Sequence, residues 1–512
     1  MAKKTFVYRD NTGGTNLRSN EAHLTQGEQG TEMAYIQNLE IYREGGFGDQ
    51  KGNTQLNTGV TDATQVLGIG QFIDSSGNFY AIYTKASGKA YVMAATGGAE
   101  TEIKTGLNAS ATPVFVQFNG KSICFNGSDT PWSWNGAAQA NLAGTPAAWA
   151  TTKPNVAAAH RGVRLFAAAG STLHFCAAGN ENDWTTANDA GSISDAFGDT
   201  TGYSALYEYG DRLVGYKKSR RVYTVTGTTF DTYAIVPVAS NRASIGKYAV
   251  ANINDNQFFF TGDEILPLVT TDLGIVKLGR TNEISYKIKP FFTGTEAEMP
   301  INPIIAANAS ESILIPYYSQ NELIGYFKTT GNSDGFDTAA IFNFDRTNWI
   351  FRKANKVTAA ALVNDQVLTG TSDGKILKEF TGSSLHNAGT FQRKILTPFF
   401  DFGLPHIEKS ITRFYIWFKS STNLDVTMNI KTNYSPDTQW TRRIQTSGQS
   451  STATYGTGKY GTATYAASVF VFEHFPISLG AYNFQIELTS SVSTLDFRVV
   501  QFGFEIDYDQ PK

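Results

Sequence analysis

Strand, polar turn and strand recur from Val66 to Phe380 with a period of about 40 to 50 residues, and few architectures share that period. The first unit reads VLGIGQFI, Asp74-Ser75-Ser76-Gly77, NFYAIYTK, Ser87-Gly88, KAYVMAA. The second reads PVFVQFN, Asn119-Gly120, KSICFNG, Asp129-Thr130-Pro131, WSWNG, and the third NVAAAH, Arg161-Gly162, VRLFAAAG, TLHFCAAG. The fourth is YSALYEY, Gly210-Asp211, RLVGYKK, RRVYTVTG, and the fifth SIGKYAVANI, Asn254-Asp255, NQFFFTGD, EILPLVT. The sixth is NPIIAANAS, SILIPYYS, LIGYFKT, TAAIFNFDRTNWIF, and the seventh VTAAALVN, DQVLTGTS, Asp373-Gly374, KILKEF. Each unit is a small meander whose sheet cannot bury both faces alone. Radial stacking against neighbouring units buries them and leaves only short edges, which is the logic of a β-propeller. Seven blades is the count this reading gives, and the degenerate spacing is also compatible with six or eight.

Composition agrees with a strand-rich fold. Charged residues are 17% of the 512 and aromatics 13%, with 48 Gly against 15 Pro. Such a chain is not a disordered segment, a coiled coil or a set of long solvated helices. Near Ala388 the rhythm changes: ITRFYIWFK and FRVVQFGFEIDY alternate apolar and polar residues over full strand lengths. The fold class expected is therefore all-β: a β-propeller over residues 61–387, then a C-terminal β-sandwich over 388–512. Residues 1–60, polar and glycine-rich with two short apolar stretches, are expected to form an extended arm with short strands.

The chemistry-bearing residues are sparse. The six histidines lie at neither HExxH nor HxH spacing, and no nearby cysteine and carboxylate complete a ligand pattern, so no metal or other cofactor is expected. The GxSxG spacing occurs at Gly331-Asn332-Ser333-Asp334-Gly335 and Gly370-Thr371-Ser372-Asp373-Gly374, but both lie between strand-like stretches and read as ordinary turns rather than a strand-to-helix elbow, and no GxxxxGK[ST] loop occurs. The chain is thus read as not an enzyme. Cys124 and Cys176, each in an apolar strand-like stretch, read as buried free thiols. Six of the seven tryptophans, at 132, 134, 184, 349, 417 and 440, read as packing residues at strand ends. A net charge of −3 argues against a protein that grips nucleic acid by phosphate neutralisation. The densest basic cluster is Lys217, Lys218, Arg220 and Arg221 around Ser219. It reads either as a contact for a lumen or a partner surface, or as a solvated hairpin turn between RLVGY and VYTVTG. No apolar run is long enough to span a membrane as a helix, and no secretory signal opens the chain.

Several strings, in one order along the chain, resemble a family of tail nozzle or tail tube proteins of short-tailed bacteriophages. The opening carries Gly13-Gly14-Thr15-Asn16-Leu17, then Leu24-Thr25-Gln26-Gly27-Glu28, then Asn38 to Gly46 and Lys51-Gly52. Leu39 stands where that family usually has Val, and Gln50-Lys51-Gly52 matches its basic–Gly ending loosely. Arg164-Leu165-Phe166-Ala167 with Gly179 to Trp184 is similar to a second family string, and Gly210 to Val214 with Arg221 to Gly227 to a third. Asn256 to Phe260, Glu283 to Ile288, and Asp401 to Pro405 with Lys409 extend the series. The resemblance implies a virion structural protein that forms a closed homo-oligomeric ring, usually a hexamer. Its partners would be an adaptor above and tip or fibre proteins below, with double-stranded DNA passing through. It would be assembled in the bacterial cytoplasm and reside in the virion tail. The alternative class is a glycan- or receptor-binding propeller that stacks sugars on blade-top aromatics.

Overall fold

The computed structural model describes the chain apart from residues 1, 19–23, 25–30, 43–44, 61, 195–197, 240, 271–275, 279–282, 297–298, 331–334, 382–391, 421–423, 447–468, 492–496 and 509–512. Among the described residues seven four-stranded antiparallel sheets follow one another along the chain. The first five are separate sheets whose innermost strands are Val66–Ile73, Val114–Phe118, Val156–His160, Tyr203–Tyr209 and Val250–Ile253. The sixth starts with Ile313–Tyr317 and ends on the first half of a long strand, Asn348–Val363. The second half of that strand, from Val357, is the innermost strand of the seventh blade. The innermost strands pack in sequence order and the seventh returns to the first, so the ring is closed.

Hairpin turns follow the residues that specify them. Asn119-Gly120, Arg161-Gly162, Asn254-Asp255 and Asn364-Asp365 all have both residues at positive φ. Turns of that class match the right-handed twist of paired strands and favour Asn, Asp and Gly. NPIIAANAS, read as a strand, is instead partly a short 3-10 turn at Ala306–Glu311. The fourth strands of the first, second, third and seventh blades escaped the sequence reading because they are short and largely polar, whereas the fourth blade's, Ala234–Ala239, is apolar and was missed all the same. Gln139–Asn141, for example, is exposed throughout on the outer edge of the second blade.

The seventh blade takes its outermost strand from the other end of the chain. Asn53–Gln55 pairs antiparallel with Ile376–Glu379. A buried ion pair stands behind this closure. Arg352 Nη2 donates to Glu379 Oε2 at 2.7 Å and to Gly52 O at 3.0 Å. Glu379 Oε1 also accepts from Thr369 Oγ1 at 2.7 Å and Asn53 Nδ2 at 3.2 Å. The C-terminal part is a two-sheet sandwich. One sheet runs Val469–Ala481, Lys409–Ser420, Phe497–Tyr508, Phe47–Asp49, Leu39–Ile41, with Ala2–Tyr8 also on Phe497–Tyr508. The other joins Tyr35–Gln37, Arg393–Leu396, Phe484–Ser490, Leu424–Thr432 and Thr438–Thr446. Period-two apolar positions meet between them: Ile416 and Phe418, Phe502 and Phe504, Val426, Met428 and Ile430 are all buried. The residues expected as an arm thus supply strands to both parts. One continuous apolar core runs from Ile324 and Ile341 of the sixth blade through Ile36 and Ile41 to Phe414 and Ile430 of the sandwich.

Because Arg352 and Glu379 are 3% and 4% exposed, removing one partner strands the other charge. Glu379→Ala is expected to cost about 3–5 kcal/mol of stability. Denaturant titration against wild type and Glu379→Gln measures it, and a loss below about 1 kcal/mol would show that the pair does not hold the closure.

Candidate functional site

The structure divides the basic cluster. The turn between Arg212–Lys217 and Val222–Thr226 carries it, and Lys218, Arg220 and Arg221 lie on the exposed side. Lys217 is fully buried, so it is unavailable to a lumen or a partner. Its Nζ donates to Asp199 O at 2.7 Å and lies 5.1 and 5.5 Å from the rings of Tyr203 and Tyr223. The Asp199 carboxylate accepts from Ser219 Oγ, from Thr201 N at 2.9 Å and from Tyr223 OH at 3.4 Å. Burial opposes its ionisation, but those hydrogen bonds and the Lys217 charge outweigh burial and hold its pKa at about 2.

The same constellation recurs in the first blade. Lys85 Nζ donates to Asp62 O at 2.7 Å, while Asp62 accepts from Ser87 Oγ, from Thr64 N at 3.2 Å and from Tyr91 OH at 3.0 Å. The signal is legible as Asp-x-Thr followed by Lys-x-Ser-x-x-x-Tyr, and the sequence reading missed it. It pins the link into one blade against that blade's own hairpin, which is a structural task.

Among the described residues, the propeller axis is the concavity on which several blades converge. At the face where the chain enters the innermost strands, a cavity of about 820 Å³ is lined by Thr112, Lys247, Tyr248, Glu311, Lys328 and Thr358 among others. Below it a cavity of about 500 Å³ follows the innermost strands. Lys247 and Tyr248 belong to both walls. From the fifth blade, Lys247 Nζ donates to Thr112 O and Tyr248 OH to Pro113 O of the second blade. Those blades are not neighbours in the ring, so the two side chains form a bar across the axis. Tyr207 OH of the fourth blade donates to Lys247 O at 2.9 Å. Gly68 of the first blade leaves room for the bar, since a Cβ there would lie 2.7 Å from Pro113 and 3.1 Å from the Tyr248 hydroxyl.

Burial pushes the Lys247 ammonium down to about 8 and raises the Tyr248 phenol. The carboxylate at the same mouth, Glu311, is already engaged by Lys328 at 2.5 Å and Asn308 at 2.8 Å. Among the described residues no group of three or more His, Cys, Asp or Glu is placed to hold a metal. His160 and His174 are buried in the third blade, whereas His406 and His474 lie in the sandwich; His23 and His386 fall outside the described residues. Both cysteines are buried and free, and burial raises the Cys124 thiol and pushes Cys176 up to about 11. Trp132, Trp134, Trp184 and Trp349 are buried, so these four offer no stacking face at a blade top, and Trp417 and Trp440 are partly buried in the sandwich.

Neither a protein-family model nor a curated protein sequence matches the chain. Solved structures with a similar backbone course include one titled "Structure of U3-55K", at 8% identity and a TM-score of 0.43, covering 64% of this chain and 98% of that one. Another, "YCF48 from Cyanidioschyzon merolae", has 8% identity and a TM-score of 0.41 over 64% and 98%. A chain from "Crystal Structure of Mitotic Checkpoint Complex" has 12% identity and a TM-score of 0.40 over 65% and 94%. No helix among the described residues is long and apolar enough to cross a membrane.

Two outcomes are expected. Lys217→Met should cost about 1–3 kcal/mol in denaturant titration, because the Asp199 carbonyl loses its buried donor and the carboxylate its neighbouring charge, whereas Lys218→Ala and Arg220→Ala should stay within about 0.5 kcal/mol. For Lys247, a folded-state pKa near 8 lies below its ordinary 10.5, so between these values the unfolded chain holds more protons. Its contribution to stability therefore rises with pH across that window. The melting temperature of Lys247→Met relative to wild type should fall as pH goes from about 7.5 to about 9.5. A difference that stays flat would place the charge in solvent.

Proposed function

We propose that this chain is a structural subunit of a bacteriophage tail, a nozzle or distal tube protein that works without catalysis as one copy in a closed ring. What carries the reading is the order of the family-like strings and the structural positions they occupy. Gly14 has φ +68°, and a Cβ on it would lie 2.5 Å from Asn348 Cβ. Asn38, also at positive φ, donates to Gln392 O at 2.6 Å and accepts from Lys353 N at 2.8 Å. Gly52 O receives Arg352, Trp184 Nε1 donates to Glu181 O at 2.7 Å, and Lys409 Nζ donates to Leu404 O and to Ile407 O. The strings thus mark joints of the fold, where a shared architecture constrains sequence most.

The barred axis supports one further step. B-DNA has a major groove alone about 12 Å wide. Such a duplex cannot thread a propeller whose axis is crossed by Lys247 and Tyr248. DNA would therefore pass between copies of the chain, through the hole of a ring with heterologous, closing contacts. Six copies, an adaptor on one side and tip or fibre proteins on the other complete the proposal, with assembly in the bacterial cytoplasm and residence in the virion.

Native mass measurement and negative-stain imaging of the purified protein test it. A ring of about 330 kDa with a central hole is the expected result for six copies. The proposal is overturned by a protein that stays single-copy and is also missing, by mass spectrometry, from purified phage particles of the source lysate. Reversing the exposed charges, with Lys218→Glu and Arg220→Glu together, then locates that turn: lost assembly places it between copies, and intact particles with slowed DNA ejection place it in the conduit.

A further inference from the structure

A groove of about 860 Å³ lies where the N-terminal segment, the fifth-to-sixth blade connection and the sandwich meet. Arg18, Glu296, Lys394, Phe399, Lys431 and Tyr434 are in its wall. Tyr434 is the unusual member. It sits in a tight turn between Leu424–Thr432 and Thr438–Thr446, closed by Ser435 N donating to Thr432 O at 2.9 Å. Asn433 and Tyr434 have φ of +54° and +57°. A two-residue turn with both φ positive favours Asn followed by Gly, and a bulky aromatic in the second place is strained. The neighbouring hairpin holds the strained form: Tyr434 N donates to Asn483 Oδ1 at 3.2 Å and Tyr482 N to Asn433 Oδ1 at 2.9 Å.

What the strain achieves is a ring position. The Tyr434 ring lies 4.9 Å from that of Phe399, which is buried at the base, while Tyr434 itself stays 49% exposed. An aromatic half in water and fixed at a cavity wall suits a ligand with an apolar face and polar edges. The charges add a sign. Lys394 and Lys431 share the single carboxylate of Glu487, at 3.0 and 3.7 Å, which leaves an excess of positive charge. The exposed Arg18 guanidinium lies over Tyr286, its carbon 3.3 Å from the ring centroid. Glu296 is the opposing charge in the wall, so the wall's cations exceed its carboxylates.

We propose that this groove binds an acidic carbohydrate, stacking a sugar face on Tyr434 and pairing a sugar carboxylate with Lys394, Lys431 and Arg18. The site belongs to one copy of the chain and does not rest on the ring reading. It also differs from the blade-top site of the alternative class, because Tyr434 lies in a turn of the sandwich and not on a blade.

Calorimetric titration of the full-length protein with tetragalacturonate and with tetrasialate, against neutral maltotetraose, tests the proposal. Saturable binding of at least one acidic probe with Kd below about 1 mM is expected, weakening as salt is raised. Tyr434→Gly should weaken it at least about tenfold while holding or raising Tm, because glycine relieves the left-handed strain that the ring imposes. Lys431→Ala should weaken binding and flatten its salt dependence. Failure of both acidic probes, equal binding of maltotetraose, or unchanged affinity in Tyr434→Gly overturns the proposal. Loss of self-association in Tyr434→Gly without any sugar binding overturns it too, and assigns the groove to a contact between copies.

Discussion

Ring closure is the constraint on which the rest of this molecule depends. A four-stranded sheet buries its faces only if both neighbours are present, so seven blades are stable only as a complete circle. The circle is closed here by chain from near the N-terminus, and that choice has consequences for residues far away. Asn53–Gln55 must reach the edge of the seventh blade. The segment before it is then held beside the sixth blade, where Gln37 pairs with Phe351. From there Tyr35–Gln37 pairs with Arg393–Leu396 and Leu39–Ile41 joins the opposite sheet of the sandwich. The closing segment is therefore also the segment that fastens the sandwich to the propeller. The Arg352–Glu379 pair sits at the crossing point, where charges withdrawn from water need a geometry that satisfies them fully.

The fold was legible where its physics is local. Inner blade strands are buried on both faces and read as apolar runs, such as VLGIGQFI and RLFAAA, and their turns carry the Asn, Asp and Gly that positive φ requires. Outer strands such as Gln139–Asn141 and the sandwich edge Thr438–Thr446 pair on one side and face water, so their sequences carry no apolar signature. The long strand Asn348–Val363, whose two halves serve two blades, escaped recognition as one element for a different reason. Its halves read as the end of one unit and the start of the next, and no turn separates them.

The site was less legible, for a reason that Lys217 and Lys247 make plain. Four basic residues in a row of five read as a charged surface, yet the strand end buries the first and the turn exposes the rest. Lys247 stands alone in SIGKYAVANI and is not singled out by spacing, but the ring carries it and Tyr248 over to Thr112 and Pro113. Their separation in sequence is 135 residues, and no local pattern announces a contact of that kind. Tyr434 is similar: Asn-Tyr is an ordinary dipeptide until the backbone places its second residue where glycine belongs.

The bar across the axis also limits how such a propeller can serve a conduit. If the axis were open, the blade rims would be the working surface and the sandwich an accessory. With the axis crossed by hydrogen bonds from the fifth blade to the second, the proposed conduit would have to be built from the outside of the molecule. Exposed apolar side chains of the third and fourth blades suit contact, since Val163 is 51% exposed, Phe230 37% and Val236 42%. Val236 lies on the outermost strand of the fourth blade, whose outer edge pairs with no further strand among the described residues and offers backbone groups as well as apolar area. A neighbour that covered this edge would remove both liabilities at once. In the proposed ring such contacts would be head-to-tail, joining one face of a copy to a different face of the next, and contacts of that kind either close or run on as a filament. In the proposed ring, the apolar core shared by propeller and sandwich would fix the angle between the two faces of one copy, and that angle would set the number of copies.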